Sequence, residues 1–242
     1  MKIGEKLKNY FTPFEIILLL FSEITVITSF ILWDGTNYFN LICSAIGLVS
    51  VILCAKGNPL GGLIGIAFSV MYSISSYKFG YYGELITYSF MSLPMYVVSF
   101  ISWLKNPYKK GELVVKVNKM KKFDYYFMVV SALLVTVAFY FVLRYFNTTN
   151  LIPSTISITT SYFAMYLMAK RIPLYAVAYA LNDIVLVVLW VLASFTSLTY
   201  LTLTVCFAVF FINDIYSFIN WRRMEKLQKF GKNESNNLLD KT

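Results

Sequence analysis

Eight runs of about 20 mostly apolar residues fill most of this chain, at roughly 13–33, 37–55, 59–77, 81–104, 124–146, 151–169, 173–194 and 198–221. A helix of that length spans the hydrocarbon core of a bilayer. In lipid only helices and closed barrels satisfy their own backbone hydrogen bonds. The pattern therefore predicts an all-α membrane protein with eight transmembrane helices. The third, fourth and seventh runs carry Gly, Ser, Asn or Asp, as helices facing protein or a cavity can. Composition agrees: 58% of residues are hydrophobic and 14% charged, against about 25% charged in soluble domains. The basic segment Met1–Thr12 precedes an apolar run, as in a signal peptide. That run is too long for a signal core and ends at Trp33-Asp34 without an A-x-A site, so it reads as a retained helix.

The net charge of +9 is distributed by position. Lys2, Lys6, Lys8, Lys56, the lysine-rich loop 105–122, Lys170, Arg171 and the tail from Arg222 to Lys232 all fall on one side of an eight-helix count. The other side holds Asp34, Lys78, Arg144 and uncharged turns. By the positive-inside rule both termini are cytoplasmic. A seven- or nine-helix count would scatter the charges. No basic face on a soluble domain is visible, so nucleic acid is not an expected partner.

Two strings recur in the same order. Ala55-Lys56-Gly57-Asn58-Pro59-Leu60 returns as Ala169-Lys170-Arg171-Ile172-Pro173-Leu174, and Ser99-Phe100-Ile101-Ser102-Trp103 returns as Ser217-Phe218-Ile219-Asn220-Trp221. Repetition among apolar runs predicts two three-helix repeats, 37–104 and 148–221. An odd number of helices between them makes the repeats parallel, related by an axis along the membrane normal. The segments are then an extra N-terminal helix (1–36), repeat one (37–104), a basic loop with a linker helix (105–147), repeat two (148–221) and a basic tail (222–242), of which 232–242 is expected to be disordered. In each A-K-x-x-P-L the Lys is expected at the interface and the Pro in the first turn of the next helix. Each Trp is expected in the aromatic belt.

Histidine is absent, which removes the commonest general base and metal ligand. Cys43, Cys54 and Cys206 stand singly in apolar runs and read as small buried residues. No nucleotide loop, nucleophile motif or metal cluster appears, so neither a catalytic residue, a metal nor a cofactor is expected. Ionisable groups in lipid are costly and need an account. Glu15 and Glu84 read as structural, through a hydrogen bond or a snorkelling end. Asn182-Asp183 and Asn213-Asp214 lie deep in the last two runs and read as site residues. Tyr175 and Tyr179 share a helix face leading to Asn182. Two rings followed by an amide and a carboxylate suit a flat heteroaromatic ligand with hydroxyls, and Asp183 would also favour a cationic ring.

The A-K-x-x-P-L turn, Tyr81-Tyr82-Gly83-Glu84, Ser99…Trp103 with Lys105-Asn106, the aromatic run to Asn182, Tyr216…Trp221 and Asn40 before Gly47 resemble the PnuC family of bacterial nicotinamide riboside and related vitamin transporters, over about residues 37–223. The resemblance implies a three-plus-one-plus-three topology similar to the sugar-transporting SWEET proteins. It implies facilitated diffusion across the bacterial plasma membrane, with an intracellular kinase trapping the product. It adds Asn40, Tyr88 and Tyr216 to Tyr175, Tyr179, Asn182, Asp183, Asn213 and Asp214 as substrate-binding candidates. The sequence departs from the family at several points. Tyr175 and Tyr179 stand where two Trp three apart are common, Tyr88 stands in the region of a frequent Gln, and Ser99 and Ser217 replace Gly. Thiamine, riboflavin and deoxynucleosides therefore remain alternatives to nicotinamide riboside. The expected partners are the small-molecule substrate and the lipid bilayer, and a homo-oligomer is left open. A membrane scaffold would need neither paired repeats nor midplane polar groups.

Overall fold

The computed structural model describes residues 10–109, 111–148 and 150–239, with burial described as far as residue 231. The basic positions Lys2, Lys6 and Lys8 lie outside the described residues. Among the described residues the regular elements are helices, with one isolated β-bridge between Pro107 and Val115 in the loop after Leu104. The long helices are α1 (Pro13–Trp33), α2 (Tyr38–Ala55), α3 (Pro59–Lys78), α4 (Tyr82–Leu104), α5 (Lys122–Tyr145), α6 (Leu151–Ala169), α7 (Tyr175–Ser194) and α8 (Leu201–Leu239). All of them except α6 are long and apolar enough to cross a membrane. Helix α6 falls short because Ser154, Thr155, Ser157, Thr159, Thr160 and Ser161 crowd one stretch of it. The apolar side chains of α1 and α5 are widely exposed, among them Ile17, Phe21, Ile24, Val130, Leu133 and Leu134. Such surfaces are stable against lipid and not against water. The protein is a multi-pass membrane protein.

Local chemistry sets the helix ends. Thr12 and Glu15 form a capping box at the start of α1, with Pro13 in its first turn. Asn58 caps α3, and Pro59 follows in its first turn. Helix α4 is interrupted by a π turn over Tyr88–Ser92. Pro94 supplies no N–H at the point where the α ladder would need one, so the register slips there. Helix α8 continues to Leu239, so 232–239 is helical where a disordered tail is expected, and 240–242 lie outside the described residues. Glu225 pairs with Arg222 and Lys229 one turn away on either side, which supports the helix beyond the bilayer segment. Gln228 ties this extension to the 105–122 loop: Val117 N donates to its Oε1, and its Nε2 donates to the Val115 carbonyl.

Both A-K-x-x-P-L strings close a helix in the same way. Gly57 (φ 65°) and Arg171 (φ 62°) occupy the left-handed region. Asn58 N bonds Leu53 O and Ile172 N bonds Leu167 O, the 6→1 bond of a Schellman cap. The 105–122 loop then bridges the two turns, with Val115 N donating to Gly57 O and Asn118 N to Arg171 O. These contacts gather the basic turns, the loop and the start of the α8 extension at one end of the bundle.

The tryptophans depart from expectation. Trp103 and Trp221 are buried, with ring centroids 5.3 Å apart. Each indole reaches across to the other copy's turn. Trp103 Nε1 donates to Met168 O at 2.9 Å, and Trp221 Nε1 donates to Cys54 O at 2.9 Å. Their neighbours repeat the exchange: Ser102 Oγ donates to Ala169 O, and Asn220 Nδ2 donates to Ala55 O. Helix C-termini leave carbonyls without intrahelical partners. The S-F-x-x-W strings fill that need, which holds the rings inside the protein and out of the interfacial belt.

The lysines are also matched. Lys56 Nζ meets Glu15 of α1 at 2.8 Å, and Lys170 Nζ meets Asp124 of α5 at 2.8 Å. Each acid sits in the first turn of its helix. The hydrogen bond to Asp124 raises the Lys170 ammonium above its ordinary pKa. Helix α1, expected as an addition without a counterpart, thus gives the first turn what α5 gives the second.

Candidate functional site

Six helices, α2, α3, α4, α6, α7 and α8, surround a cavity in the bundle interior. Its volume is only about 40 Å³, so the walls stand close together. Rings close it at both ends. Away from the basic end, Phe68, Tyr72, Tyr88, Phe207 and Phe210 pack against one another, with Tyr72 and Tyr88 centroids 4.3 Å apart. Trp190 Nε1 donates to Tyr72 OH at 3.1 Å and ties α7 to α3 there. Towards the basic end, Tyr175 packs edge-on against Trp221 at 5.0 Å and Trp103 at 6.4 Å.

Six of the nine sequence candidates line this cavity: Tyr88, Tyr175, Tyr179, Asn182, Asp183 and Asp214. Asn182 is oriented by α6. Its Oδ1 accepts from Thr160 Oγ1 at 2.8 Å, Ser161 Oγ at 3.0 Å and Ser157 Oγ at 3.2 Å. The polar stretch that makes α6 the least apolar helix is thus the support of this amide. Its NH₂ group makes no hydrogen bond among the described residues and is left as a donor. Asp183 and Asp214 are buried, and both line the cavity. Tyr175 is held inside the protein: its hydroxyl donates to Cys54 O and pairs with Ser217 Oγ at 2.7 Å. Tyr179 OH donates to the Met168 sulfur at 3.7 Å.

The other three candidates lie elsewhere. Asn213 Nδ2 donates to Ser22 Oγ of α1 and to Val209 O. Tyr216 OH donates to Glu15 Oε1 at 2.7 Å. Both face α1, because neighbours on a helix point about 100° apart and only Asp214 of the pair can face inward. Asn40 lies towards the non-basic end, where its Oδ1 accepts from Ser75 Oγ. Glu15 is structural as expected. Glu84 is buried, not snorkelling, and its Oε2 has no partner among the described residues. The cysteines are free and buried.

Tyr96, Ser50, Ser161 and Gly47 also line the cavity and are not among the candidates. Two glycines mark the close approach. A Cβ at Gly65 would stand 2.5 Å from the Tyr96 ring, and one at Gly47 would stand 2.5 Å from Phe210. A glycine one helix away from a large ring was the available signal.

The nicotinamide mononucleotide transporter family profile matches residues 37–223, well over half the chain. The chain belongs to that family. Within it, the chain is similar to the nicotinamide riboside transporter PnuC of Neisseria mucosa, 23% identical over 221 residues, which is 89% of this chain and 83% of that one. Its fold is similar to the crystal structure of the vitamin B3 transporter PnuC, with a TM-score of 0.79 and 21% identity, covering 94% of this chain and all of the other. The matched family segment starts at α2 and ends just past Trp221, so α1 and the α8 extension lie outside it.

Proposed function

We propose that this protein carries nicotinamide riboside, or a closely related ribosyl-heterocycle, into the cell by facilitated diffusion, with phosphorylation inside trapping the product. The observation that carries this reading is the cavity between the two copies of the repeated strings. It offers rings for a heterocycle and the Asn182 NH₂ for a carbonyl edge. Tyr88, Tyr179, Asn182, Asp183 and Asp214 are the proposed substrate residues, with Tyr175 closing the basic end. Thiamine is the second reading, favoured by the carboxyl pair because it is also a ring cation; riboflavin and deoxynucleosides lack that charge.

The proposed architecture is two parallel three-helix repeats, α2–α4 and α6–α8, each preceded by one helix. The reciprocal Trp and Lys contacts support it. The basic end faces the cytoplasm of a bacterial plasma membrane, which puts both chain ends inside. Sealed liposomes holding only this protein test the reading. Labelled nicotinamide riboside should equilibrate across the bilayer without concentrating. In a background without native Cys, a thiol reagent on the outer side should reach cysteines at 35, 148 and 197 but not at 57 or 112. Uphill uptake driven by a proton or Na⁺ gradient contradicts facilitated diffusion, and outside labelling at 112 contradicts the orientation.

A further inference from the structure

A second cavity, of about 680 Å³, opens at the basic end between the 105–122 loop and the α8 extension. Sites for small organic ligands run from about 300 to 1,000 Å³. Lys109, Lys116 and Lys119 line it from the loop and Lys229 from α8, against one acid, Glu225. Both oxygens of that acid are already engaged, one by Arg222 at 2.6 Å and the other by Lys229 at 2.7 Å. Lys109 makes a long contact, 3.8 Å, with an exposed Glu112. Among the described residues Lys116 and Lys119 take part in no ion pair. The positive-inside rule accounts for the sign of these charges but not for their convergence on one cleft from two elements.

The two walls are fastened to each other. Val117 N donates to Gln228 Oε1 at 2.8 Å, and Gln228 Nε2 donates to Val115 O at 3.0 Å. Within the loop, Tyr108 N donates to Val114 O and Lys116 N to Asn106 O, so Lys109 and Lys116 sit on a closed hairpin. Gly231 lets Tyr108 come close to α8: a Cβ there would stand 2.9 Å from the Tyr108 hydroxyl. The half-buried Tyr108 ring thus lies beside the lysines in the wall of the cleft. The cleft also stands clear of the bilayer. Trp221 is level with the end of α2, where it bonds Cys54 O. Lys229 lies eight residues further along the helix, about 12 Å on, and a headgroup layer is about 5–8 Å thick.

We infer that this cleft binds a nucleoside diphosphate, with its phosphates on Lys116, Lys119 and Lys229 and its base against the Tyr108 ring. The inference stands apart from the transport reading, which concerns the other cavity. Four lysines against one glutamate leave three positive charges in surplus. A diphosphate ester carries about three negative charges near pH 7, two on the terminal phosphate and one on the inner. Lysine ammoniums hold phosphate oxygens as point charges, and a tyrosine ring stacks on a base of any sequence. A lipid headgroup shares the phosphate but has no ring for Tyr108, and it would have to leave the headgroup layer to reach Lys229.

Calorimetry on the full chain in nanodiscs of zwitterionic lipid tests this with ADP, inorganic pyrophosphate and adenosine. ADP should bind saturably, more weakly as salt rises, and more tightly than either of the other two. Lys116→Gln with Lys119→Gln should weaken ADP about tenfold, while Lys226→Gln, an exposed lysine outside the cleft, should leave it unchanged. Tyr108→Ala should weaken ADP and leave pyrophosphate as it was. Saturating nicotinamide riboside should not displace ADP. Absence of saturable ADP binding by the unaltered protein overturns the site without reference to any variant. So does pyrophosphate binding as tightly as ADP, or an equal loss in Lys226→Gln, since either would reduce the cleft to diffuse positive charge. Loss of ADP binding in phosphatidylglycerol nanodiscs at matched salt would assign the cleft to a lipid headgroup, and displacement of ADP by nicotinamide riboside would assign ADP to the central cavity; each overturns the inference and leaves the transport reading standing.

Discussion

The segment from α2 to α4 and the segment from α6 to Trp221 share a scaffold and differ in what they place in the cavity. Ala55 to Ala169 is an offset of 114 residues, and Trp103 to Trp221 an offset of 118. On those offsets Phe68 corresponds to Asn182, Gly65 to Tyr179 and Tyr96 to Asp214. All but Gly65 line the cavity. The first segment supplies rings and the glycine that makes room for one of them. The second supplies the amide and both carboxyls, together with Tyr175, Tyr179, Phe207 and Phe210. The helices differ as well: α4 is broken by a π turn ahead of Pro94, while α8 runs unbroken to Leu239. Positions that hold the turns and cross-caps are alike in the two segments, and positions facing the cavity differ. On the proposed reading, the parts that are alike build the frame, and the parts that differ would orient a ligand.

The sharpest way to break this contrast is to remove the second segment's amide. Asn182→Ala should weaken nicotinamide riboside binding by about tenfold to a hundredfold, because a buried polar partner is left unpaired, at about 1–3 kcal/mol. The protein should still purify, since Ser157, Thr160 and Ser161 are helix hydroxyls that can turn to their own backbone carbonyls, as Thr160 already does. Calorimetry with Phe68→Leu alongside is the control: a loss at Phe68 equal to that at Asn182 would mean that both segments orient the ligand.

A smaller effect sharpens the scaffold side. Glu15 accepts from Lys56, from Tyr216 OH and from Thr12 N, and its side chain is 2% exposed; Asp124 pairs with a Lys170 that is 43% exposed. Glu15→Gln should cost about 1.5–3 kcal/mol, the range for hydrogen bonds to a charged group. Asp124→Asn should cost about 1 kcal/mol or less, as exposed pairs do. Thermal unfolding in one detergent checks the order. Equal shifts would show that the two clamps differ in appearance only.

The frame was legible in the sequence because its signals are periodic or repeated. Apolar run length fixed the helices to within a few residues, and the repeated strings located the turns. The α7 face was legible because Tyr175, Tyr179 and Asn182 obey helical spacing. What was missed depended on a helix read as peripheral. Asn213 and Tyr216 look like cavity residues until α1 is placed against α8 with Ser22 and Glu15 facing them. The tryptophans were misplaced for a related reason. An indole at a helix end suits an interfacial belt, and only the packing of the two segments shows that each N–H has a carbonyl waiting across the contact. Tyr96 was hidden because its partner signal, Gly65, lies on another helix.

The most direct test of the central claim is a structure of this protein with nicotinamide riboside bound. The account predicts the pyridinium ring among Tyr88, Tyr96 and Tyr179, its carboxamide oxygen on the Asn182 NH₂ and its positive charge facing Asp183 and Asp214. A ligand seated instead in the basic cleft beside Tyr108, Lys116 and Gln228, or held in the cavity with no contact to Asn182 or either carboxyl, would contradict it.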